Sequence, residues 1–472
     1  QGAARSVGSC GSANFMAETH RDGCADASNC SGRETARDAS RDADLPTASF
    51  YFAGAATLLG WNVVLTFTHT FDCDVFGGMV WAGSSWPFWS TLSYSLALNI
   101  VQGIMSSRTL VDRLPFGTRW CISCVSLSAG LLGLLLCAAC DAGRCREWDF
   151  AVALLCVAFL GSAAAVFQSA AFGMAGAISP CLTQTLMVGQ GVAGVFCGMV
   201  GILVDLIQVS SKISTAFGLI SSSFFMMLGV PLWLRKVRKN VHVREKLDEA
   251  AKVLLSHHAA TTDDVPLSLR ERDAPQNGVT SGSFALSSDG TRRRTLPRRR
   301  SSVEILRRDA WPQALTVFLV FAATFAVFPG VTSRWLPAGH VTSLIATFQL
   351  LDVVGRMAPK LRMLRIEHGP TVTALAFGRL VFVPLFIMLE QSSGYEWARG
   401  VLVQFAAMVV FAFTNGYVST LSMMLGSAQR GVGPDDQEVT GSLMSLFLVG
   451  GIFVGSMLAL PTQIGVVAVL EC

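Results

Sequence analysis

Charge is scarce in this chain of 472 residues, because only 14% of them are Asp, Glu, Lys or Arg while 51% are hydrophobic. The mean hydropathy of +0.50 is higher than a water-soluble domain of this size needs to bury its core. Together the two values exclude an ordinary soluble globular protein. They predict a chain whose solvent is largely lipid.

The motifs of the common catalytic and energy-coupling sites are also missing. No Gly-x-x-x-x-Gly-Lys run is present, which argues against a phosphate-binding loop and an ATP-driven pump. His69 is followed by Asp72, but no Ser or Cys nucleophile motif accompanies them. We therefore predict that the protein is not an enzyme and that it uses no cofactor.

Cysteine is plentiful, with thirteen residues, but its pattern does not favour a metal site. The pairs at the ends of 121–124 and 137–140 have metal-like or redox-like spacing, yet they lie in apolar sequence without nearby His. We interpret them as small packing residues and predict no metal site. Cys73, Cys140 and Cys145 flank predicted outer loops, where two of them could form a disulfide whose pairing the sequence leaves open.

The first stretch of the chain, residues 1–48, has no apolar periodicity. It is rich in Ala, Ser, Gly, Arg and Asp, which is typical of a disordered tail. It also lacks the apolar h-region of a secretory signal peptide. We predict that this tail lies in the cytosol.

What the chain has in abundance is apolar segments close to the length of about 20 residues that a membrane-spanning helix requires. The sequence predicts an all-α polytopic membrane protein with about eleven spans in a 6+5 arrangement. The predicted domains are bundle 1 at 49–234, a basic loop at 235–310, and bundle 2 at 311–472. The predicted spans are 49–71, 87–107, 118–140, 150–175, 182–206, 212–234, 311–331, 340–358, 371–390, 398–425 and 440–461.

Basic residues set the predicted orientation. The loop 235–310 holds 17 Lys and Arg against 10 Asp and Glu, and short connections on the same side are basic too. Because Lys and Arg in short loops favour the cytosol, we predict that the N-terminus and this loop are cytosolic and that the C-terminus is outside. The short-loop residues are Arg108, Arg113, Arg119, Lys360, Arg362 and Arg365.

The loop 235–310 is interpreted as a flexible connector. Its Arg runs either contact anionic lipid or are simply solvated, and we favour the second interpretation. Arg300-Ser301-Ser302 resembles a site for basophilic kinases, a weak signal because the motif is short.

An acid and a base lie four residues apart inside one of the apolar segments. This spacing places Asp352 and Arg356 on the same helical face, so each lowers the other's cost of leaving water. Ionisable groups at membrane depth are expensive and often line a polar pathway. The alternative is an ion pair that only holds two helices together.

Polar and small residues recur in spans of both halves. A single Asn or Gln is as often a bridge between helices as a ligand contact, but their recurrence favours a polar cavity between two bundles. Five glycines from Gly189 to Gly201 indicate close contact with a neighbouring helix. The polar residues include Asn62, Asn99, Gln102, Gln168, Gln184, Gln190, Gln349, Arg379 and Asn415.

Five motifs stand out along the apolar segments. They are Leu58-Leu59-Gly60-Trp61-Asn62; Gln168-Ser169 with Gly173 and Ala175-Gly176, continuing through Pro180 to Gly189-Gln190-Gly191; Phe348 with Asp352 and Gly355-Arg356; Arg379 with Phe382 and Pro384-Leu385; and Asn415-Gly416-Tyr417 with Met423-Met424. Their order is that of the equilibrative nucleoside transporters, and the chain resembles that family over about 49–461. Gly60 stands where the family usually has Pro.

The resemblance implies a major-facilitator-like fold that carries nucleosides or nucleobases by alternating access, as facilitated diffusion. It implies that Asp352 and Arg356 meet the ribose hydroxyls or stabilise that site, that Gln168 contacts the base, and that Trp61 shapes the cavity. Gln349 and Leu65 complete the expected site, and Leu65 replaces a residue that is often bulkier or sulfur-containing. The family landmarks are Asn62, Gly176, Gln190, Arg379, Pro384 and Asn415.

The expected partners are a nucleoside or nucleobase and the lipid bilayer, with no nucleic acid, and the expected location is the plasma membrane. Two alternatives remain open. One is a carrier of the same fold that is coupled to protons or moves organic cations, because Asp352 suits either task. The more distant one is a membrane receptor that transports nothing.

Overall fold

The computed structural model describes residues 45–79, 86–139, 146–208, 210–249, 252, 300–328, 331–332, 338–391, 400–429 and 431–464. Most of the predicted tail and most of the loop 235–310 lie outside these residues, so both remain predictions. Cys73 takes part in a disulfide. The other two cysteines considered for that bond, Cys140 and Cys145, lie outside the described residues.

Long α-helices account for most of the described chain, as predicted. They are α1 Thr47–Thr66, α2 Trp86–Met105, α3 Phe116–Ala139, α4 Arg146–Ile178, α5 Pro180–Ile207, α6 Ser211–Met227, α7 Trp311–Val327, α8 Ala338–Met357, α9 Gly369–Gly378, α10 Phe382–Gln391, α11 Val401–Ser427 and α12 Gln437–Ile464.

Short segments extend or connect these helices. Three are π-helical, at Thr70–Val75, Trp233–Val237 and Leu306–Ala310. Further α-helical turns lie at Arg108–Arg113, Gly229–Leu232, 241–249 and Ser302–Ile305. Turns of 3-10 helix lie at Ala358–Lys360, Arg362–Leu364, Arg379–Val381 and Pro434–Asp436.

The long helices coincide with the predicted spans, and nine helical segments among the described residues, one of which combines α9 and α10, are long and apolar enough to cross a membrane. The two outside that set, α2 and α8, have 20 residues each, so they do not lack length. They carry polar residues instead, such as Gln102 in α2 and Asp352 in α8. A multi-pass membrane protein is therefore confirmed, whereas the count of eleven spans remains a prediction.

The predicted ninth span is broken rather than continuous. The helix α9 ends at Gly378, a 3-10 turn covers Arg379–Val381, and α10 follows. Pro384 explains the break, because it has no N–H to donate and its ring crowds the carbonyl four residues earlier. The turn places Arg379 at the point where the two short helices join.

Large apolar side chains remain exposed along the outer faces of the helices. Leu136, Leu155, Phe217, Phe224 and Leu402 are each at least 66% exposed. An apolar surface of this extent would be unfavourable in water but is suitable for contact with lipid. The structure thus agrees with the prediction that lipid surrounds most of the chain.

Glycines bring several helices into backbone contact. A Cβ added to Gly54 of α1 would lie 2.1 Å from the Leu186 carbonyl oxygen in α5, and one added to Gly441 of α12 would lie 2.3 Å from that of Phe172 in α4. Real Cβ atoms cannot approach so closely, so only glycine fits at these crossings. The predicted close packing of α5 is confirmed at Gly189, where a Cβ would lie 2.4 Å from the Tyr51 carbonyl oxygen of α1.

Two halves are convenient for describing the packing: the N-terminal half, residues 45–249, and the C-terminal half, residues 300–464. Within them α1 packs on α5, α2 on α4, α8 on α11 and α7 on α12. The halves meet where α12 packs on α2 and α4, and where α5 packs on α8. The division into two bundles with the predicted boundaries remains a proposal.

Candidate functional site

The predicted ion pair is formed within α8. Arg356 Nε donates to Asp352 Oδ2 over 2.6 Å, and each residue is only 5% exposed. One helical turn separates them, as the four-residue spacing requires. The acid and the base are therefore buried together.

The second oxygen of Asp352 is held by the neighbouring helix. Asn415 Nδ2 of α11 donates to Asp352 Oδ1 over 2.7 Å. Glycine makes this approach possible, because a Cβ on Gly416 would lie 1.9 Å from the Asp352 carbonyl oxygen and one on Gly355 would lie 2.1 Å from that of Phe413. Asn415, expected only as a landmark, directly contacts the predicted site.

A second arginine is connected to the same carboxylate through two neutral side chains. Arg379 Nη2 donates to Thr324 Oγ1 over 3.0 Å, and Thr324 Oγ1 donates to Asn415 Oδ1 over 2.7 Å. Arg379 Nη1 donates to the Phe411 carbonyl over 2.9 Å. We call Asp352, Arg356, Asn415, Thr324 and Arg379 the buried cluster. Thr324 was missed in the sequence because one Thr in an apolar helix is ordinary.

The buried cluster lies where the halves meet. Arg356 Nη1 donates to the Met187 carbonyl of α5 over 2.9 Å, and Gln184 Nε2 donates to the Arg356 carbonyl over 3.2 Å. Gly191 makes room for α8, since a Cβ there would lie 2.7 Å from Val353 Cγ2. The predicted site is thus attached to both halves.

Gln168 is buried in α4, only 1% exposed. Both polar atoms of its amide lack a hydrogen-bond partner among the described residues. Leaving a buried donor or acceptor unpaired costs about 1–3 kcal/mol. The structure does not join Gln168 to the buried cluster by a hydrogen bond among the described residues.

The other predicted site residues are placed as follows. Trp61 stacks on Tyr94, with ring centroids 4.3 Å apart and planes inclined by 16°. Gln349 packs against Gly194, where a Cβ would lie 3.7 Å from Gln349 Cδ and 3.9 Å from Asn62 Nδ2. Leu65 is 47% exposed near the end of α1.

Three further landmarks have structural contacts. Gln190 Nε2 donates to Thr57 Oγ1 over 3.1 Å and so ties α5 to α1. A Cβ on Gly176 would lie 3.0 Å from that of Ser427, so Gly176 belongs to a tight contact between α4 and α11. Pro384 belongs to the helix break described above.

Hydroxyl groups join the halves between α2, α4 and α12. Ser442 Oγ lies 3.1 Å from Ser106 Oγ and 2.7 Å from Ser169 Oγ, and Gln102 Nε2 donates to Ser445 Oγ over 3.2 Å. Ser106 follows α2 in the connection that carries Arg108 and Arg113, and Ser442 and Ser445 lie near the start of α12. These contacts hold the two halves together on that side.

Charged groups reinforce the closure at the surface. Arg119 of α3 donates to Glu438 of α12, and Arg108 Nη1 donates to Asp436 Oδ1 over 2.5 Å. Burial alone would lower the pKa of Arg300, but its contacts with Asp436 and Asp309 outweigh burial and raise that pKa. Arg119 and Arg108 thus pair with carboxylates of the other half of the molecule.

The sequence was compared with known proteins. The model of the family described as "Nucleoside transporter" matches residues 154–464. The chain is 27% identical over 361 residues to adenosine transporter 1 of Crithidia fasciculata, covering 66% of this chain and 71% of the relative. It is 25% identical over 461 residues to equilibrative nucleoside transporter 2 of Homo sapiens, covering 89% and 98%.

A solved structure agrees on the fold. FucP, a major facilitator superfamily transporter in its outward conformation, matches with a TM-score of 0.50 at 12% identity, covering 89% of this chain and 96% of FucP. The expected major-facilitator-like fold is thereby confirmed. Because the family match extends over more than half of its length, the chain belongs to the nucleoside transporter family.

Proposed function

We propose that this transporter binds nucleosides beside the buried cluster and moves them by alternating access, as facilitated diffusion. The observation that supports the site most strongly is the position of Asp352 and Arg356. They pair within the C-terminal half while Arg356 also binds the Met187 carbonyl of the N-terminal half. Transporter sites commonly lie at such a junction near the middle of the membrane.

Asp352 has the capacity to accept ribose hydroxyls. Each carboxylate oxygen offers two lone pairs, and Arg356 and Asn415 each occupy one oxygen once. A hydroxyl that donates to a charged acceptor forms a stronger bond than one that donates to a neutral acceptor. We assign the remaining lone pairs to the sugar.

Gln168 is suited to hydrogen bonding with the nucleobase of the substrate. Its amide has a buried donor and a buried acceptor that find no partner among the described residues, and the edges of nucleobases present complementary groups. Tyr94 covers one face of Trp61, so we assign the opposite face to stacking with the base. Gln349 and Leu65 would line the remaining wall.

The balance of charge in the buried cluster disfavours a carrier of organic cations. The buried cluster contains two guanidinium groups, of Arg356 and Arg379, and one carboxylate, of Asp352. An organic cation entering this site would meet excess positive charge. A neutral nucleoside or nucleobase would not.

Location and orientation follow from the basic connections. We propose that the protein lies in the plasma membrane with its N-terminus and the loop 235–310 in the cytosol and its C-terminus outside. The side closed by Ser106 and Ser442 would then be the cytosolic one, and the site would open outwards. Tags near Asn277 and at the C-terminus should differ in protease protection on intact cells; equal access would contradict this arrangement.

Transport can be tested with purified protein in liposomes. We expect uptake of labelled adenosine or uridine, competition by unlabelled nucleosides, and no dependence on an imposed proton gradient. The variant Asp352→Asn/Arg356→Gln removes both members of the ion pair, so neither is left charged without the other, and it should fold and lose at least about tenfold in uptake.

The chain offers a matched control for this variant. Arg244 and Asp248 have the same spacing, but their side chains are 75% and 65% exposed. Arg244→Gln/Asp248→Asn should transport normally. Near-normal uptake by the buried double variant would reject the site and retain the transporter, whereas no uptake by the unaltered protein of any nucleoside or nucleobase would reject the function.

A further inference from the structure

The end of the long basic loop is fixed between the two halves. Arg300 donates through Nε to Asp436 Oδ2 over 2.8 Å and through Nη1 to Asp309 Oδ2 over 2.5 Å. Arg108 donates to Asp436 and, over 2.8 Å, to the Arg300 carbonyl. We call Arg108, Arg300, Asp309 and Asp436, with Ser302 beside them, the loop-end cluster.

The Ser302 hydroxyl both donates and accepts a hydrogen bond. Its Oγ donates to the Ser106 carbonyl over 2.9 Å and accepts from the Arg108 backbone N–H over 3.0 Å. Both partners belong to the connection between α2 and α3, in the other half of the molecule. A free hydroxyl can donate and accept at once, so this contact requires an unmodified serine.

The sequence before Ser302 is strongly basic, with Arg298-Arg299-Arg300 followed by Ser301. Ser301 is exposed and Ser302 is partly exposed, so the segment lies at the surface. Protein kinases that select basic sequences recognise arginines placed shortly before a serine. The segment therefore combines such a sequence with a contact that closes the transporter.

We propose that Ser302 is a phosphorylation site and that its modification releases the closure on the loop side. In the reaction the Ser302 Oγ forms a bond to the γ-phosphorus of a nucleoside triphosphate, the bond from that phosphorus to the diphosphate breaks, and the hydroxyl proton passes to a base of the kinase. The inference rests on the proposed cytosolic position of the loop.

Phosphorylation would remove the donor that now reaches the Ser106 carbonyl and add a charge of about −1.5 to −2. The neighbouring Asp309 and Asp436 are negative and would repel it. Arg108 and Arg300 each carry five N–H donors, so they could also bind the phosphate, but that contact would not restore the bond to Ser106. A phosphorylated Ser302 therefore cannot keep the donated hydrogen bond that joins the two halves.

Ser301 provides a control in the same segment. Its Oγ accepts from the Glu304 backbone N–H over 3.2 Å and makes a local cap. Asp is as good a capping residue as Ser, so Ser301→Asp adds a charge without breaking a contact between the halves. Ser302→Asp adds the same charge one residue later and loses the bond to Ser106.

The first experiment measures phosphate incorporation into the purified full-length protein with ATP and a basophilic kinase, using mass spectrometry to locate the site. We expect modification of Ser302. A Ser106→Cys/Ser442→Cys disulfide, which holds the loop side closed, should reduce incorporation at Ser302 at least fivefold, and reduction should restore it. No phosphate on Ser302, or equal incorporation with and without the cross-link, would overturn the proposal.

The second experiment measures opening by the rate at which a thiol reagent labels Ser445→Cys, read by mass spectrometry. Ser302→Asp should label at least threefold faster than Ser301→Asp, which should match the parent. Equal rates in the two Asp variants would contradict the proposal. Neither readout requires transport, so failure here is distinguishable from failure of the proposed function.

Discussion

The buried cluster and the loop-end cluster both lie where the two halves meet, but they are built differently. In the buried cluster the second guanidinium is paired with neutral partners, the Phe411 carbonyl and the Thr324 hydroxyl. In the loop-end cluster each of two arginines contacts a carboxylate, and Arg300 is 23% exposed. One is a fixed assembly in lipid and the other is a closure at the surface.

The difference reflects what each cluster must do. Groups buried at membrane depth have no water to replace a lost partner, so breaking one of those contacts is costly. Ion pairs near water are weaker and are screened by salt. A transporter that opens and closes needs the weaker ion pairs where its two halves separate. It needs the buried contacts where the substrate site must keep its geometry.

The strongest test of the fixed assembly is Gly416→Ala. The added Cβ would meet the Asp352 carbonyl at 1.9 Å, so α11 must move away from α8. We expect a loss of about 1–3 kcal/mol in stability and at least tenfold in uptake. Thermal unfolding and liposome uptake would measure both.

Gly103→Ala serves as the control, because a Cβ there would meet nothing within 4 Å. Because Ala is favoured over Gly inside a helix, this variant should keep normal uptake and be at least as stable as the parent. A Gly416→Ala protein with normal stability and uptake would show that the helices can separate without harm.

A smaller effect is expected from Asn415→Ala, which leaves the backbone in place. It removes the donor to Asp352 Oδ1 and the acceptor for Thr324. The Michaelis constant for nucleoside should rise several-fold while the protein still folds, because the carboxylate loses its orientation. An unchanged Michaelis constant would place Asp352 outside the site.

The surface closure should be still easier to disturb. Asp436→Asn weakens the acceptor shared by Arg108 and Arg300, whose side chains are 10% and 23% exposed. Labelling of Ser445→Cys should accelerate about twofold to fivefold, and the difference from the parent should shrink at high salt. A difference that is independent of salt would mean that charge is not the cause.

The smallest effect concerns Asp72 beyond the end of α1. Burial raises the pKa of this carboxyl above its ordinary value of 3.8, although a hydrogen bond from Trp86 and the nearby His69 oppose the shift. The folded state then binds a proton more tightly than the unfolded state, so stability should fall as pH rises from about 4 through the raised pKa. Melting temperatures of Asp72→Asn should decline less over that range; parallel curves would contradict this.

Much of the fold was predictable because lipid imposes simple rules on length and composition. Apolar runs predicted the positions of the long helices, and the spacing of Asp352 and Arg356 predicted their pairing. The role of Asn415 beside Asp352 was not predictable, since it depends on two glycines that let separate helices touch.

The loop-end cluster could not be predicted from sequence either. Its members are separated by up to 328 residues along the chain.

Three π-helical segments also lie near ends of apolar spans, including Leu306–Ala310. Each wider turn rotates the following side chains away from the positions that a regular period of 3.6 residues assigns.

The glycines of α5 should differ in how well they tolerate substitution. Alanine at Gly194 would make only ordinary contacts, whereas at Gly191 it would approach Val353 to 2.7 Å and at Gly198 it would approach Gln349 to 2.6 Å. Gln349 ends in a flexible amide that can move, but Val353 is short and branched. Natural variants should therefore be commonest at Gly194, rarer at Gly198 and rarest at Gly191.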